Sequence, residues 1–235
     1  RFKKENFSTI KPLIMIEKKS ILEESIKELP DAGNKIAILN KKIYSKYPIF
    51  KKILDKNNIK KFLLNQNTLG QSDTCYKAKN MINKKDDLFI HSCDYVMKYS
   101  NSKFKKLCSN CDVIIFTYKL KSSLVSDYND YAYCKEQKGN VLKIVEKKTI
   151  SKFPQNDQMV IGTFWFKKAS DFFLSHERAL KKEKFINNEL YIANNINELI
   201  KKQKKVKVFE VLYWKNLGDY FSYNQYIYWK NFFKI

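Results

Sequence analysis

Short apolar runs of strand length alternate with longer amphipathic stretches through the first half of the chain. Leu13–Ile16, Ile36–Leu39, Lys61–Leu64, Leu88–His91 and Val113–Tyr118 read as strands, the last rich in β-branched and aromatic residues. Between them, residues 20–29, 43–55 and 72–83 read as helices. In the first helix Ser20 is the N-cap and Glu23 follows three residues later, a capping-box spacing. Apolar positions 21, 22, 26 and 29 share one face of it, and Pro30 ends it. Strands alternating with helices predict an α/β fold, with a mostly parallel sheet covered on both faces.

The pattern changes near residue 130. Tyr131–Cys134 and Val141–Val145 flank a polar turn at Gln137–Asn140, which predicts a hairpin. Val160–Phe166 reads as a strand, 188–203 as a helix, Val206–Leu212 as a strand and Tyr220–Phe233 as an aromatic-rich helix. No internal repeat or long linker interrupts the chain. One domain over residues 1–235 is expected.

Composition narrows the classes. With 235 residues, 44% hydrophobic and 15% aromatic, the chain can bury a core and is no disordered polymer. Its 46 basic and 24 acidic residues leave a net charge of +22, which suggests an anionic partner. Yet the only arginines are Arg1 and Arg178, so the rest are lysines. Abundant Asn, Ile, Tyr and Phe with scarce Gly and Pro are the bias of AT-rich coding. The excess Lys therefore reads mainly as a solvated surface. Five cysteines include one close pair, Cys108 and Cys111, with no second pair to complete a zinc site. Free thiols and a reducing, cytoplasmic setting are expected. There is no run of 18 apolar residues and no signal peptide.

Four polar constellations interrupt the apolar pattern. Arg1-Phe2 is followed by Lys11-Pro12. Gln66 to Thr74, containing Gly70, forms a polar turn between a strand and a helix, where Ser72 or Asp73 would serve equally as an N-cap. Asp94 follows the apolar run at 88–91, placed to hold a cation or to cap a turn. Glu146-Lys147 closes the hairpin, and Gly162 lies inside the aromatic strand beyond, a sign of close approach by ligand or backbone.

In order and spacing these segments resemble sugar-1-phosphate nucleotidyltransferases, over nearly the whole chain from Arg1 to about Tyr226. The resemblance implies a single-domain, Rossmann-like, GT-A-like fold, with residues 1–130 binding nucleotide and 131–235 binding the acceptor. It implies an enzyme that transfers a nucleoside monophosphate from an NTP to a sugar 1-phosphate and releases pyrophosphate. The product would be a nucleotide sugar for surface polysaccharide. Arg1 and Lys11 would neutralise the triphosphate, Gln66 and Gly70 would approach the base, and Asp94 would hold Mg²⁺. Glu146, Lys147, Gly162 and Glu189 would line the sugar-phosphate pocket. The chain then begins inside the Gly-rich phosphate loop, and weak activity is expected without that loop.

One position departs from the pattern. In Trp214-Lys215-Asn216-Leu217-Gly218-Asp219 an amide, Asn216, stands where a second metal carboxylate is expected, and Asp219 is the candidate substitute. Two rival readings stay open. One is a cytidylyltransferase for a non-sugar phosphate such as phosphocholine, favoured if aromatics around Trp165 and Trp214 close the acceptor pocket. The other is a Lys-rich nucleic-acid-binding module, although no recognition motif of that class is present and the lysines are not striped. Beyond an NTP and a phosphorylated small molecule, no specific nucleic acid is expected as partner. A homo-oligomer stays open.

Overall fold

The computed structural model describes residues 9–120 and 127–233. A tight turn at Lys11–Leu13 leads into the short hairpin β1 (Met15–Ile16) and β2 (Lys19–Ser20). The capping box forms as expected: Ser20 Oγ accepts from Glu23 N–H, Ser20 N–H donates to the Glu23 carboxylate, and α1 (Ile21–Ile26) follows. After β3 (Ile36–Asn40) the expected single helix is two, α2 (Lys41–Lys46) and α3 (Ile49–Lys56). Pro48 separates them, because it has no N–H to donate and disfavours helical backbone at Tyr47. β4 (Lys60–Leu64) pairs in parallel with β3, and α4 (Gln71–Lys77) follows.

The largest sheet has six strands, ordered along the sheet as residues 88–90, 158–166, 113–118, 206–210, 140–146 and 132–137. In chain order these are β5 (Leu88–Ile90), β7 (Val113–Tyr118), β8 (Ala132–Gln137), β9 (Asn140–Glu146), β10 (Gln158–Phe166) and β11 (Val206–Glu210). Between β5 and β7 lie β6 (Tyr95–Lys98) and α5 (Asn101–Cys108). β10 pairs with β8 as well as with β5 and β7, so the pairings close a ring of five strands.

The α/β class is as expected; the mostly parallel single sheet is not. In the six-stranded sheet only β7 and β11 pair in parallel. Hairpin connections make antiparallel neighbours, and the β8–β9 hairpin feeds directly into β10 rather than into a helical crossover. β10 also bends. Its register against β7 shifts between Val160 and Phe164, and Gly162, at φ +84°, occupies that bulge. Strands from both halves of the chain interleave here, since β10 and β11 flank β7.

Two apolar layers hold this sheet. Val113 and Ile115 face one side with Phe164, Phe166, Phe172, Ile196 and Leu199, while Ile114 and Phe116 face the other with Phe104, Trp165 and Trp214. Strand alternation thus buries both faces of β7. The first layer is capped by α6 (Ala169–Lys181) and α7 (Ile192–Ile200). α7 starts later than expected because Asn187 and Asn188 adopt left-handed backbone, with Ile186 and Glu189 closing a tight turn. β12 (Tyr213–Asn216) pairs with β6, and α8 (Tyr220–Phe233) ends the described chain. Among the described residues no helix is long and apolar enough to cross a membrane. The cysteines are free.

Candidate active site

The antiparallel register of β6 and β12 sets Tyr95 opposite Asn216. One step beyond that pair, Leu217 N–H donates to the Asp94 carbonyl at 2.8 Å. The side chain of Asp94 is thereby held over Gly218. A Cβ on Gly218 would lie 2.7 Å from Asp94 Oδ2, 2.9 Å from Asn216 Oδ1 and 3.0 Å from Lys11 Nζ, so these three polar atoms converge on one point. Glycine is required there by close approach. Lys11 Nζ bonds Asp94 Oδ2 at 2.9 Å, and each side chain is about one-third exposed. The stem of Lys11 is anchored because Leu13, two residues on, packs with Phe50 and Ile53.

Asn216 is bonded at both ends of its amide. Its Oδ1 accepts from Gly218 N–H at 2.8 Å, and its Nδ2 donates to Asp219 Oδ2 at 2.6 Å. Asp219 Oδ1 accepts from Ser222 N–H and so caps α8. Asp219 can therefore cap α8 and still offer an oxygen to a cation, since each carboxylate oxygen keeps a lone pair.

Asp94, Lys147, Asn216 and Asp219 line one cavity of about 350 Å³. Lys147 is brought in by left-handed backbone at φ 55°, by its N–H donating to the Tyr131 carbonyl, and by its Nζ donating to the Asp130 carbonyl. The remaining wall combines Tyr95, Tyr131 and Trp214 with Asp130, Ser92, Val160 and Ile161. A larger open concavity of about 600 Å³ lies elsewhere, beside Lys201–Lys204, and its one carboxylate, Asp171, is already paired with Lys204.

Other sequence candidates lie outside that lining. Gln66 is exposed. Gly70, at φ +101°, meets protein rather than open space: a Cβ there would stand 3.0 Å from Glu189 Cβ and from the Leu190 backbone. The Gln66–Thr74 turn and the Glu189 segment are in fact sewn together, Leu190 N–H donating to the Leu69 carbonyl and Ser72 N–H to the Leu190 carbonyl. Gly162 serves the β10 bulge; its Cβ position has ordinary space beside Ser92 and Tyr95. Glu146 is largely buried near Glu189. Burial raises its carboxyl to about 7, against the lowering pull of Lys147 and with a further raise from Glu189. Arg1 lies outside the described residues. Sequence reasoning passed over Gln71, whose amide donates to Ser92 Oγ on the cavity wall at 2.9 Å, and also Asp130 and Tyr131. Nothing in their spacing marks them: Gln71 opens α4, and Asp130 and Tyr131 come from the turn before β8.

Neither histidine is placed as a base. Burial lowers His91 to about 4, and its Nδ1 bonds Thr163 Oγ1 at 2.9 Å. His176 is buried on α6 with Nδ1 3.0 Å from Ser72 Oγ, and burial lowers its pKa as well. Trp165 is committed to the core with its indole N–H on Asp87, so of the two tryptophans considered for an aromatic pocket only Trp214 lines the cavity.

The donor set suits a hard cation. Among the described residues no group of three His, Cys, Asp or Glu side chains is gathered as a metal cage. Mg²⁺ needs none, since it commonly takes one or two carboxylates and completes its shell with water and substrate phosphate. Asp94, the Asn216 amide oxygen and Asp219 offer oxygen donors, with Lys11 at the point where the first two converge.

The fold is one shared with solved nucleotidyltransferase structures. The chain is similar to the nucleoside-diphosphate-sugar pyrophosphorylase from Vibrio cholerae RC9, with TM-score 0.79 and 16% identity, over 97% of this chain and 95% of that one. It is also similar to the inositol-1-phosphate CTP transferase from T. maritima, with TM-score 0.70 and 14% identity, over 96% and 87%. A glucose-1-phosphate thymidylyltransferase assignment from Bacillus anthracis gives TM-score 0.71 and 14% identity, over 93% and 85%. No protein-family model matches the sequence, and no curated protein matches it. Identities this low establish a common fold, and the resemblance read from the motifs holds at that level.

Proposed function

We propose that this chain is a nucleotidyltransferase that joins a phosphomonoester to the α-phosphorus of a nucleoside triphosphate and releases pyrophosphate. The observation that supports it is the meeting of Lys11, Asp94 and Lys147 at one cleft, from segments distant in sequence. A phosphate monoester is already largely dianionic near pH 7, since its second pKa is about 6. No general base is needed to make it a nucleophile, which fits a cleft whose nearest histidine, His91, is neutral at that pH.

The obstacle is repulsion between two anions. In this reading Lys147 would meet the acceptor phosphate, and Lys11 would leave Asp94 for the triphosphate. Asp94, with Asn216 and Asp219, would hold a divalent cation. When bound, that cation neutralises charge on the α-phosphate. Gln71 and Ser92 steady the wall near Asp94. A cytoplasmic setting, where nucleoside triphosphates are available, belongs to this reading.

The acceptor has two candidates. The names of the similar structures favour a sugar or inositol phosphate, with the polysaccharide role that follows. The aromatic and acidic lining around Trp214 favours an ester with a cationic head.

The test is pyrophosphate release by the whole protein, with four NTPs against a panel of phosphomonoesters in Mg²⁺. One productive pair is expected. Silence with every pair, together with tight, steeply salt-dependent binding to random duplex, would transfer the chain to the nucleic-acid-binding class.

A further inference from the structure

The cavity is acidic in a strongly basic protein. Basic residues outnumber acidic ones 46 to 24 over the chain, yet this cavity's lining holds Asp94, Asp130 and Asp219 against the single Lys147. Two of those carboxylates are accounted for. Asp94 is bonded to Lys11, and Asp219 is held by Asn216 and the Ser222 N–H. The carboxylate of Asp130 has no partner among the described residues, although its backbone carbonyl accepts from Lys147 Nζ.

Aromatic rings stand beside it. Trp214 and Tyr131 have centroids 6.0 Å apart with planes at 84°, an edge-to-face contact, and both line the cavity. Tyr95 is 6.2 Å from Trp214, tilted at 51°. Trp214 is over nine-tenths buried, and its indole nitrogen has no hydrogen-bond partner. These rings line the same cavity as the unpaired Asp130 carboxylate, so a cation there would meet aromatic surface and a full negative charge. Sugar hydroxyls would call instead for several directed donors and acceptors. The carboxylate best suited to that work, Glu146, lies outside the lining.

Resting on the reaction class proposed above, we infer that the acceptor is the phosphate ester of a small amino alcohol. Its ammonium head sits beside Trp214 and Tyr131, faced by Asp130, and its phosphate meets Lys147. Lys147 Nζ donates to the Asp130 backbone carbonyl, so the ammonium and the carboxylate border the same cavity. Transfer breaks the bond between the α- and β-phosphates of the NTP and forms one between the α-phosphorus and an acceptor phosphate oxygen. Pyrophosphate takes the bonding pair.

Binding to the whole protein, read by tryptophan fluorescence, tests this with three probes. They are phosphocholine, its neutral isostere 3,3-dimethylbutyl phosphate, and glucose 1-phosphate. Phosphocholine should bind at least about tenfold more tightly than either. Asp130→Asn, at an exposed position, should reduce that preference to within about threefold while the melting temperature holds, and Trp214→Leu should remove it. Equal affinity for the charged and neutral heads, or tighter binding of glucose 1-phosphate, overturns the inference. Pyrophosphate release with glucose 1-phosphate alone overturns it too and leaves the reaction class standing. Absence of release from every NTP and acceptor overturns the reaction class, whichever head is preferred.

Discussion

Lys11 Nζ lies 2.9 Å from Asp94 Oδ2, an ion pair between residues 83 positions apart. Neither partner is deeply buried, so the pair contributes little to stability. Its interest is chemical: a mobile cation rests on the carboxylate that would hold a metal. Asp94→Asn should lower pyrophosphate release by about 100-fold or more while the melting curve is nearly unchanged. Unaltered turnover would remove Asp94 from the site.

Gly218 supplies a probe of the same point without touching a polar side chain. A methyl group there would fall 2.7 Å from Asp94 Oδ2 and 2.9 Å from Asn216 Oδ1, and those oxygens must separate. Gly218→Ala should weaken Mn²⁺ binding, measured by electron paramagnetic resonance of the free ion, by at least about tenfold. Equal Mn²⁺ affinity in the variant would mean that the cation is bound elsewhere.

Gly70 gives the contrasting case. Its φ of +101°, and the 3.0 Å that a Cβ there would leave to the Leu190 backbone, make it a packing glycine. Gly70→Ala should cost about 1–3 kcal/mol in urea unfolding, from strain alone. Because the Gln66–Thr74 turn would shift with it, NTP affinity should fall as well. A variant as stable as the parent would show that the two segments part without cost.

Glu146 makes stability depend on pH. Its carboxyl is raised to about 7, mainly by burial, so the folded chain binds that proton more tightly than the unfolded chain does. The stabilising effect is fully present below the unfolded value near 4.5 and is lost as pH rises through 7. Glu146→Gln, a neutral mimic, should therefore raise stability on the order of 2 kcal/mol at pH 8 and much less at pH 5. Equal gains at both pH values would show that the carboxyl titrates normally.

Parts of this molecule were legible before any coordinates. The Ser20–Glu23 box is local hydrogen bonding, and β7 is a run of β-branched and aromatic residues, so both follow from neighbours in sequence. α6 was not legible. Its buried face carries Asp171, Ser175 and His176 beside Phe172 and Ala179, which erases the apolar period that would have marked a helix. Pro48 was visible in the run 43–55, and the split it causes was legible but passed over.

The candidate site divides in the same way. Asp94, Lys147 and Asn216 stood out because of the motifs around them, whereas Gln71 at the start of α4 and the turn residues Asp130 and Tyr131 are ordinary until the fold aims them. Alone, the sequence determined an α/β chain with its polar residues of interest at the ends of apolar runs, since those signals reach only a few residues along the backbone. Tertiary structure decided the direction of strand pairing, the neighbour that Gly70 admits, and the sign of charge in the cleft. Those depend on which distant segments meet, and β6 meets β12 only when more than a hundred intervening residues have packed.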